Sequence, residues 1–194
     1  MTLTLKITTC VLAIAMAGAL KWIDPPTTQP AKTEAQAAYL ESVRTQLSTY
    51  KTWTLVNPEP VLMDPIVAAD CAAPNLGARS PHSNKYVAVY VNDAGRHAMM
   101  FEKYPSFPEG SIIVKEKLDS KTSQVPELLT IMIKRGEGYD PGNGNWEYLV
   151  MDGRGSRVEK PASVEKCQSC HLVNKRTDYV SRIYLPKEIR EKLK

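Results

Sequence analysis

The sequence predicts an α+β protein that is mainly an antiparallel β-sheet, with an N-terminal helix and a short cysteine-bearing helix near the other end. Three observations predict this class. Apolar residues recur at helical spacing between residues 31 and 53. In four later segments they alternate with a period of two, and a loop rich in Gly, Asn and Pro joins the last two of these segments like a hairpin connection. A chain of 194 residues accommodates these elements in one domain.

Residues 1–19 are typical of a secretory signal peptide. Lys6 precedes an apolar stretch that ends in Ala-Gly-Ala at residues 17–19, the small-x-small pattern found before a cleavage site. The stretch is marginal for a membrane span, which needs roughly 20 residues. We therefore predict export to the periplasm with cleavage after Ala19. An uncleaved N-terminal anchor facing the periplasm is the alternative, because Leu20 and Ile23 extend the apolar stretch.

Residues 20–33 are predicted to be a linker, and residues 34–194 the folded domain. The linker contains DPPTTQP, a stiff and solvated segment that cannot bury a core. The domain begins with a predicted amphipathic helix, in which Glu and Arg lie between the apolar positions. Those apolar positions recur at every fourth residue: Ala35, Tyr39, Val43 and Leu47.

Four segments rich in β-branched and aromatic residues are predicted to be strands. They are KYVAVYVN at 85–92, SIIVKEK at 111–117, LLTIMIKR at 128–135 and WEYLVMD at 146–152. Before the first of them, three prolines interrupt the chain and residues 70–84 are predicted to be an irregular loop. After the cysteine-bearing segment, the final residues from 181 onward predict one short strand and a charged tail.

Composition excludes several functional classes. The formal net charge is +4 and the sequence has no run of Lys and Arg, so a dedicated nucleic-acid binder is excluded. Four cysteines are too few for a small disulfide scaffold. An apolar content of 43% excludes wholesale disorder.

The string Cys167-Gln168-Ser169-Cys170-His171 is a C-x-x-C-H motif, the attachment signal for c-type haem. Two thiols about one helical turn apart can add to the two vinyl groups on one edge of a porphyrin, and the following imidazole can ligate the iron. The motif therefore predicts a haem-attachment helix with one covalent haem. It agrees with the predicted leader, because this attachment takes place outside the bacterial cytoplasm.

Two other interpretations of the motif remain open. A redox-active Cys167–Cys170 disulfide is expected in a thioredoxin-like βαβ setting, which the antiparallel pattern does not supply. A zinc site needs a fourth ligand beside Cys167, Cys170 and His171, which Cys71, His82 or His97 would have to provide. If haem takes two thiols, Cys71 is left as a buried structural thiol.

The position of the motif limits how the haem is covered. Only 23 residues follow His171, and none of them is Met or His, so the upstream sheet must cover the haem. An open or water-filled sixth position is expected, and such positions bind gases or support chemistry. The alternative protein ligands to the iron are Met99, Met100, Met132, His82 and His97.

Three blocks of the sequence resemble the cytochrome P-460 family. They are FPEGSIIVKEKL at 107–118, Gly-Asn-Trp at 144–146 with the strand that follows, and CQSCH with Thr-Asp-Tyr-Val at 177–180. The resemblance covers roughly residues 40–186 and depends on the order and spacing of the blocks. It implies a mostly β fold, one covalent haem on a face of the sheet, and a homodimer.

In hydroxylamine-oxidising members of that family, a Lys on a strand after an F-x-x-G turn forms a second covalent bond, to a meso carbon of the haem. Matching the GSIIVK block implies that this residue is Lys115. On a strand, Lys115 shares its face with Ile113 and Lys117 and lies opposite Ile112. The alternative is an ordinary exposed lysine near a strand end, like its neighbours Lys117 and Lys103.

One position departs from the family pattern. Where hydroxylamine-oxidising members have an Arg that faces the distal pocket, this chain has Val87, with His82, Lys85 and Tyr86 as nearby polar candidates. An apolar distal wall weakens proton transfer to or from bound hydroxylamine, since acid–base catalysis needs a positioned titratable group. The related β-type cytochromes c′ keep the fold without the Lys and bind small gases such as NO.

The sequence therefore predicts an exported monohaem c-type cytochrome, held through Cys167 and Cys170, with His171 as the iron ligand and Lys115 as a candidate second tether. We expect a haem oxidoreductase that acts on a small nitrogen compound, hydroxylamine or nitric oxide, and passes electrons to a soluble partner. Non-enzymatic gas binding or sensing is one alternative. Simple electron transfer with a protein sixth ligand is another.

Overall fold

The computed structural model describes residues 29–65, 84–159 and 164–194. The predictions for the leader at 1–19, for Cys71 and for His82 lie outside these residues. Among the described residues, no helix combines the length and the apolar character needed to cross a membrane.

The main element is an antiparallel sheet with an N-terminal helix and short helices, as predicted from the sequence. The described helices are α1 (Gln29–Leu47), α2 (Asp93–Met100), α3 (Val164–Leu172) and α4 (Lys187–Lys192). The described strands are β1 (Thr54–Leu55), β2 (Val61–Leu62), β3 (Tyr86–Val91), β4 (Ile112–Leu118), β5 (Leu128–Lys134), β6 (Trp146–Asp152) and β7 (Val158–Glu159). Short 3-10 turns occupy Tyr50–Thr52, Pro141–Asn143 and Lys175–Thr177.

The strands lie in the order β1-β3-β4-β5-β6-β7, and β2 also pairs with β3. Every pair is antiparallel. The predicted hairpin is therefore confirmed, since β5 and β6 pair from Leu128 opposite Asp152 to Lys134 opposite Trp146. In the centre of the sheet, Lys115 on β4 lies opposite Val89 on one side and Thr130 on the other.

Each face of the sheet contributes to a separate hydrophobic cluster. Helix α1 covers one face, because Val43 and Leu47 pack with Ile112 and Val114. The opposite face carries Ile113 and is covered by α2 and by the segment that follows α3. This second face is called the site face below. Because side chains alternate along a strand, Lys115 and Lys117 lie on the site face, as predicted.

The N-terminal helix differs from its prediction in the residue at which it begins and in one of the side chains expected to pack on the sheet. Helix α1 begins at Gln29, within the predicted linker. Tyr39, Val43 and Leu47 pack in the cluster on the sheet as expected, but Ala35 is exposed and does not belong to it.

Four other elements differ from their predictions. Helix α2 was not predicted; the Asn92 side chain caps it by accepting a hydrogen bond from the Gly95 amide at 3.2 Å. The strands β1 and β2 are only two residues long and lie among the prolines before β3. The short strand predicted after residue 181 is wrong, since residues 181–186 are turn and irregular backbone and helix α4 follows from Lys187, with Pro186 as its N-cap.

Candidate haem site

Helix α3 carries the complete C-x-x-C-H motif. Cys167 and Cys170 lie about one turn apart and are both partly buried. Cys167 packs against the cluster on the site face. Gln168 fixes the helix to the loop between β5 and β6, because its amide donates to Asp140 Oδ2 at 2.8 Å. The helix therefore presents its two thiols and His171 beside the site face.

The His171 ring is held by one hydrogen bond from its Nδ1. This nitrogen lies 2.7 Å from the Tyr179 carbonyl oxygen, which can only accept, so Nδ1 carries the proton and Nε2 presents its lone pair. Burial and, to a smaller extent, the Lys115 charge lower the pKa of His171 to about 4, against the opposing effect of the Tyr179 hydrogen bond. The imidazole is therefore neutral at pH 7, which is the form that ligates a metal.

An unusual backbone conformation at Asp178 and Tyr179 accompanies the hydrogen bond between the Tyr179 carbonyl and His171. Both residues have positive φ, 51° and 63°, a conformation that ordinary side chains rarely adopt. The Tyr179 ring is buried against Gly144, and its hydroxyl donates to the Gly142 carbonyl at 3.1 Å. Trp146 adds a further hydrogen bond from its indole to the Asp178 carbonyl, at 2.7 Å.

The Asp178 carboxylate ties this loop to two other parts of the site face. It accepts hydrogen bonds from Lys134 Nζ at 2.6 and 2.7 Å and from the Phe107 amide at 2.9 Å. Both partners of the ion pair are largely buried. The residues Thr-Asp-Tyr-Val at 177–180, which resembled a family block, therefore position the imidazole of the motif.

The charge of Lys115 contributes to the lowered pKa of the His171 imidazole, after burial. The Lys115 Nζ lies 5.4 Å from the centre of the buried Tyr184 ring, and the side chain is half-buried. Lys117 differs from its prediction. It was expected to be exposed, but it is 1% exposed and its Nζ contacts Met63 Sδ at 3.4 Å. The central position of β4 in the sheet explains this burial.

Tyr148 on β6 is a site residue that the sequence did not reveal. Its ring packs on His171, with the ring centres 5.2 Å apart, and it lies close enough to Cys167 for a charge there to raise the pKa of the phenol, although burial is the main cause. The Tyr148 hydroxyl is buried, and no hydrogen-bond partner for it occurs in the described part of the chain. A buried hydroxyl without such a partner, beside the neutral imidazole of His171, is suited to a polar group of a bound cofactor.

A family model for cytochrome P460 matches residues 48–182. The match includes the sheet from β1 to β7, the C-x-x-C-H helix and the loop that holds His171. The chain belongs to the cytochrome P460 family. It is therefore a haem cytochrome, and its fold is the one that the sequence resemblance implied. No curated protein matches the chain closely enough to add to this assignment.

The residues of this cytochrome P460 domain fit a haem. The donor set consists of a neutral imidazole with Nε2 available, two thiols one turn apart and a buried phenol hydroxyl. Zinc fits less well, because no group of three or more His, Cys, Asp or Glu residues within the described ranges could hold a metal ion. Among the zinc candidates, His97 is exposed and pairs with Glu102, while Cys71 and His82 lie outside the described residues. A thioredoxin-like setting does not occur either, since the described strand pairs are all antiparallel.

The methionines proposed as sixth ligands lie in or against the hydrophobic cluster of the site face. Met99 and Met132 are buried members of that cluster, and Met100 packs against it. Met132 lies between Ile113 and Tyr148 across the sheet, so it serves as a core residue of the site face.

Val87, which the resemblance implied to be on the distal side of the haem, belongs to the hydrophobic cluster of the site face. Val87 is fully buried on the site face, directly opposite Lys117 on β4. Of the polar candidates beside Val87, Lys85 forms salt bridges with Asp119 and Glu127. Tyr86 lies on the other face of the sheet, because side chains alternate along a strand. The polar side chain nearest to Val87 in the strand register is therefore Lys117, which the sequence interpretation had placed on the surface.

Proposed function

We propose that this protein is an exported, monohaem c-type cytochrome whose haem is bound covalently through Cys167 and Cys170 and axially through His171. The placement of the two thiols and the imidazole on α3 supports this proposal. When bound, the haem supplies an iron that binds a small ligand and exchanges electrons with it. The protein keeps the imidazole neutral, fixes its orientation through Tyr179 and shields one side of the ring with the sheet.

The activity we propose is oxidation of a small nitrogen compound, hydroxylamine or nitric oxide, with electrons passing to a soluble partner. The position of Lys115 on the central strand of the site face supports this proposal, because His171 packs on Tyr148 of the same face. An amine on the central strand of the face on which the axial ligand packs can reach the edge of a ring that the imidazole holds. Lys115 is therefore the candidate second tether to the haem, the feature that marks the hydroxylamine-oxidising members of the family.

The ferrous absorption spectrum and a reaction with hydroxylamine test this activity. We expect a strongly red-shifted Soret band in the wild type, its loss in Lys115→Ala, and no change in Lys121→Ala, which alters an exposed lysine between β4 and β5. Mixing the ferric protein with hydroxylamine and an electron acceptor should release electrons rapidly. An ordinary c-type spectrum in the wild type, or no electron release, would contradict the proposal.

A second candidate function is gas binding without turnover, and the apolar side chain of Val87 favours it. With no titratable group at that position, a bound gas would be stabilised by packing rather than by proton transfer. Nitric oxide binding to the ferrous protein without electron release on adding hydroxylamine is the result that selects this candidate. A six-coordinate low-spin ferrous spectrum without added ligand would instead select simple electron transfer.

Export and assembly complete the proposal. We propose that residues 1–19 direct the chain to the periplasm and are removed there, with a membrane-anchored form as the alternative, and that the mature protein is a homodimer. The intact mass of protein recovered from the periplasm tests removal of the leader. A sedimentation experiment tests the dimer, and a monomer at micromolar concentration would contradict it.

A further inference from the structure

The surface beside the haem-attachment helix has an unusual combination of exposed apolar and basic side chains. We call it the docking face and define it by nine exposed residues: Phe101, Tyr104, Leu172, Val173 and Ile183, with Lys103, Lys175, Arg176 and Arg190. Val173 is 85% exposed and Tyr104 is 60% exposed, although exposed aromatic and aliphatic side chains of this size are costly to leave in water.

Contacts and a shared cleft link five residues of the docking face, which are Lys103, Tyr104, Arg176, Ile183 and Arg190. The Tyr104 ring lies between two cations, with Lys103 Nζ 5.6 Å and the Arg176 guanidinium 5.4 Å from its centre. A cleft of about 260 Å³ then joins Lys103 to Ile183 and Arg190. The floor of the cleft includes the aliphatic side chains of Leu185 and Leu193.

The four basic residues that define the docking face are not held in ion pairs. None of Lys103, Lys175, Arg176 or Arg190 forms an ion pair with a carboxylate among the described residues. Elsewhere in the same ranges, basic residues such as Lys85, Lys134 and Arg135 do pair with carboxylates. The lining of the cleft contains two arginines and a lysine and no acidic residue.

The docking face begins where the haem-attachment helix ends. Leu172 follows His171 directly, and Asn174 in the same loop lines the cleft. The loop continues to Tyr179, whose carbonyl holds the His171 ring. A protein seated here would lie beside the edge at which the two thiols attach the haem, which shortens the path for an electron.

We propose that the docking face binds an acidic, one-electron acceptor protein. This inference rests on the proposed function, in which electrons must leave the haem. In each encounter the ferrous iron loses one electron and becomes ferric, and the acceptor gains that electron without forming a bond. A small apolar centre surrounded by cations favours fast, transient association with a negatively charged partner. A second copy of this chain is disfavoured, because a two-fold interface would place the four cations of one copy against those of the other.

Electron transfer from the chemically reduced holoprotein tests the proposal without hydroxylamine. The ferrous protein is mixed in a stopped-flow instrument with an acidic blue-copper protein, and separately with a basic one of similar potential. We expect the low-salt rate constant with the acidic acceptor to fall about tenfold or more between 10 and 200 mM salt, as for electrostatically steered pairs. With the basic acceptor, we expect the rate constant to rise or stay level with salt.

Charge-reversal variants locate the site. Lys103→Glu and Arg176→Glu should each lower the low-salt rate constant with the acidic acceptor by about threefold to tenfold. The matched control is Lys121→Glu, which makes the same change in charge at an exposed residue after β4, outside the residues that define the docking face. It should lower the rate constant much less. The haem spectrum and midpoint potential should be unchanged in all three variants.

Three results would overturn the proposal: equal slowing by Lys103→Glu and Lys121→Glu, equal rate constants with both acceptors, or dissociation of a dimer by Arg176→Glu. The last result would assign the face to contact between two copies of the chain. The holoprotein is reduced chemically with dithionite before it meets the acceptor. Electron transfer to the acceptor can therefore be observed even if hydroxylamine is not a substrate. Failure of docking and failure of the proposed activity are therefore distinguishable.

Discussion

Replacing Gly144 by alanine should disturb the support of His171 from a distance. Gly144 has φ +65°, and an added Cβ would lie 2.4 Å from Cδ2 of the buried Tyr179 ring. Placing alanine in the left-handed conformation costs about 1–2 kcal/mol. Displacing a packed ring costs about 1–3 kcal/mol more. The smaller entropy of the unfolded alanine chain offsets about 0.4–1 kcal/mol of this.

The net expectation is a loss of about 1–4.5 kcal/mol in the free energy of unfolding. With a slope of about 2 kcal/mol per molar urea, the midpoint of urea unfolding of the holoprotein, followed by circular dichroism, should fall by about 0.5–2 M. Because Tyr179 carries the carbonyl that holds His171, the iron–imidazole stretching frequency should also change in Gly144→Ala.

Gly142→Ala is the matched control for this experiment. Gly142 lies two positions earlier in the same loop, and an added Cβ would approach no atom more closely than Asp140 Oδ1, at 3.7 Å. We expect its urea midpoint and iron–imidazole frequency to stay close to those of the wild type. Equal behaviour of the two variants in both measurements would refute the argument that Tyr179 needs the space beside Gly144.

Two further changes should separate buried from exposed electrostatics. Asp178→Ala leaves the largely buried Lys134 without its carboxylate and should lower the free energy of unfolding by about 3–5 kcal/mol. Asp119→Ala breaks a more exposed pair and should have a much smaller effect. Urea titrations that rank the two variants equally would contradict this. Burial and the hydrogen bond to Glu116 raise the pKa of Tyr50 in the folded protein. Above pH about 10 the unfolded state therefore binds fewer protons than the folded state, and the free energy of unfolding falls as the pH rises. Tyr50→Phe should make that fall less steep while lowering stability at pH 7 by about 1.5–3 kcal/mol, and an unchanged slope in alkaline urea titrations would show that Tyr50 is not responsible.

The sheet was predictable from the sequence because its four long strands alternate strongly. Residues 111–117 show this: Ile112 and Ile113 belong to different clusters on opposite faces, as a period of two requires. The same reasoning placed Lys115 on the site face. The C-x-x-C-H string predicted its own helix, since the two thiols must lie about a turn apart.

The parts that the sequence did not reveal depend on tertiary contacts. Lys117 is buried because β4 is a central strand, whereas its residue type is usually exposed. In the sequence, Tyr148 looks like any other aromatic residue of a strand. Its place in the site becomes visible only in the folded protein, where His171 of α3 packs on its ring. Helix α2 had a recognisable signal in Asn92 followed by Asp93, but Gly95 in its first turns weakened the pattern.

The central claim is that one haem is bound covalently to Cys167 and Cys170 of the exported protein, and peptide mass mapping of protein recovered from the periplasm tests it most directly. We predict a coloured protein that begins at Leu20, keeps its pigment in acidified butanone, and carries the mass of one haem on the peptide that contains both cysteines. A colourless protein, or pigment that passes into the butanone and leaves that peptide at its unmodified mass, would contradict the account.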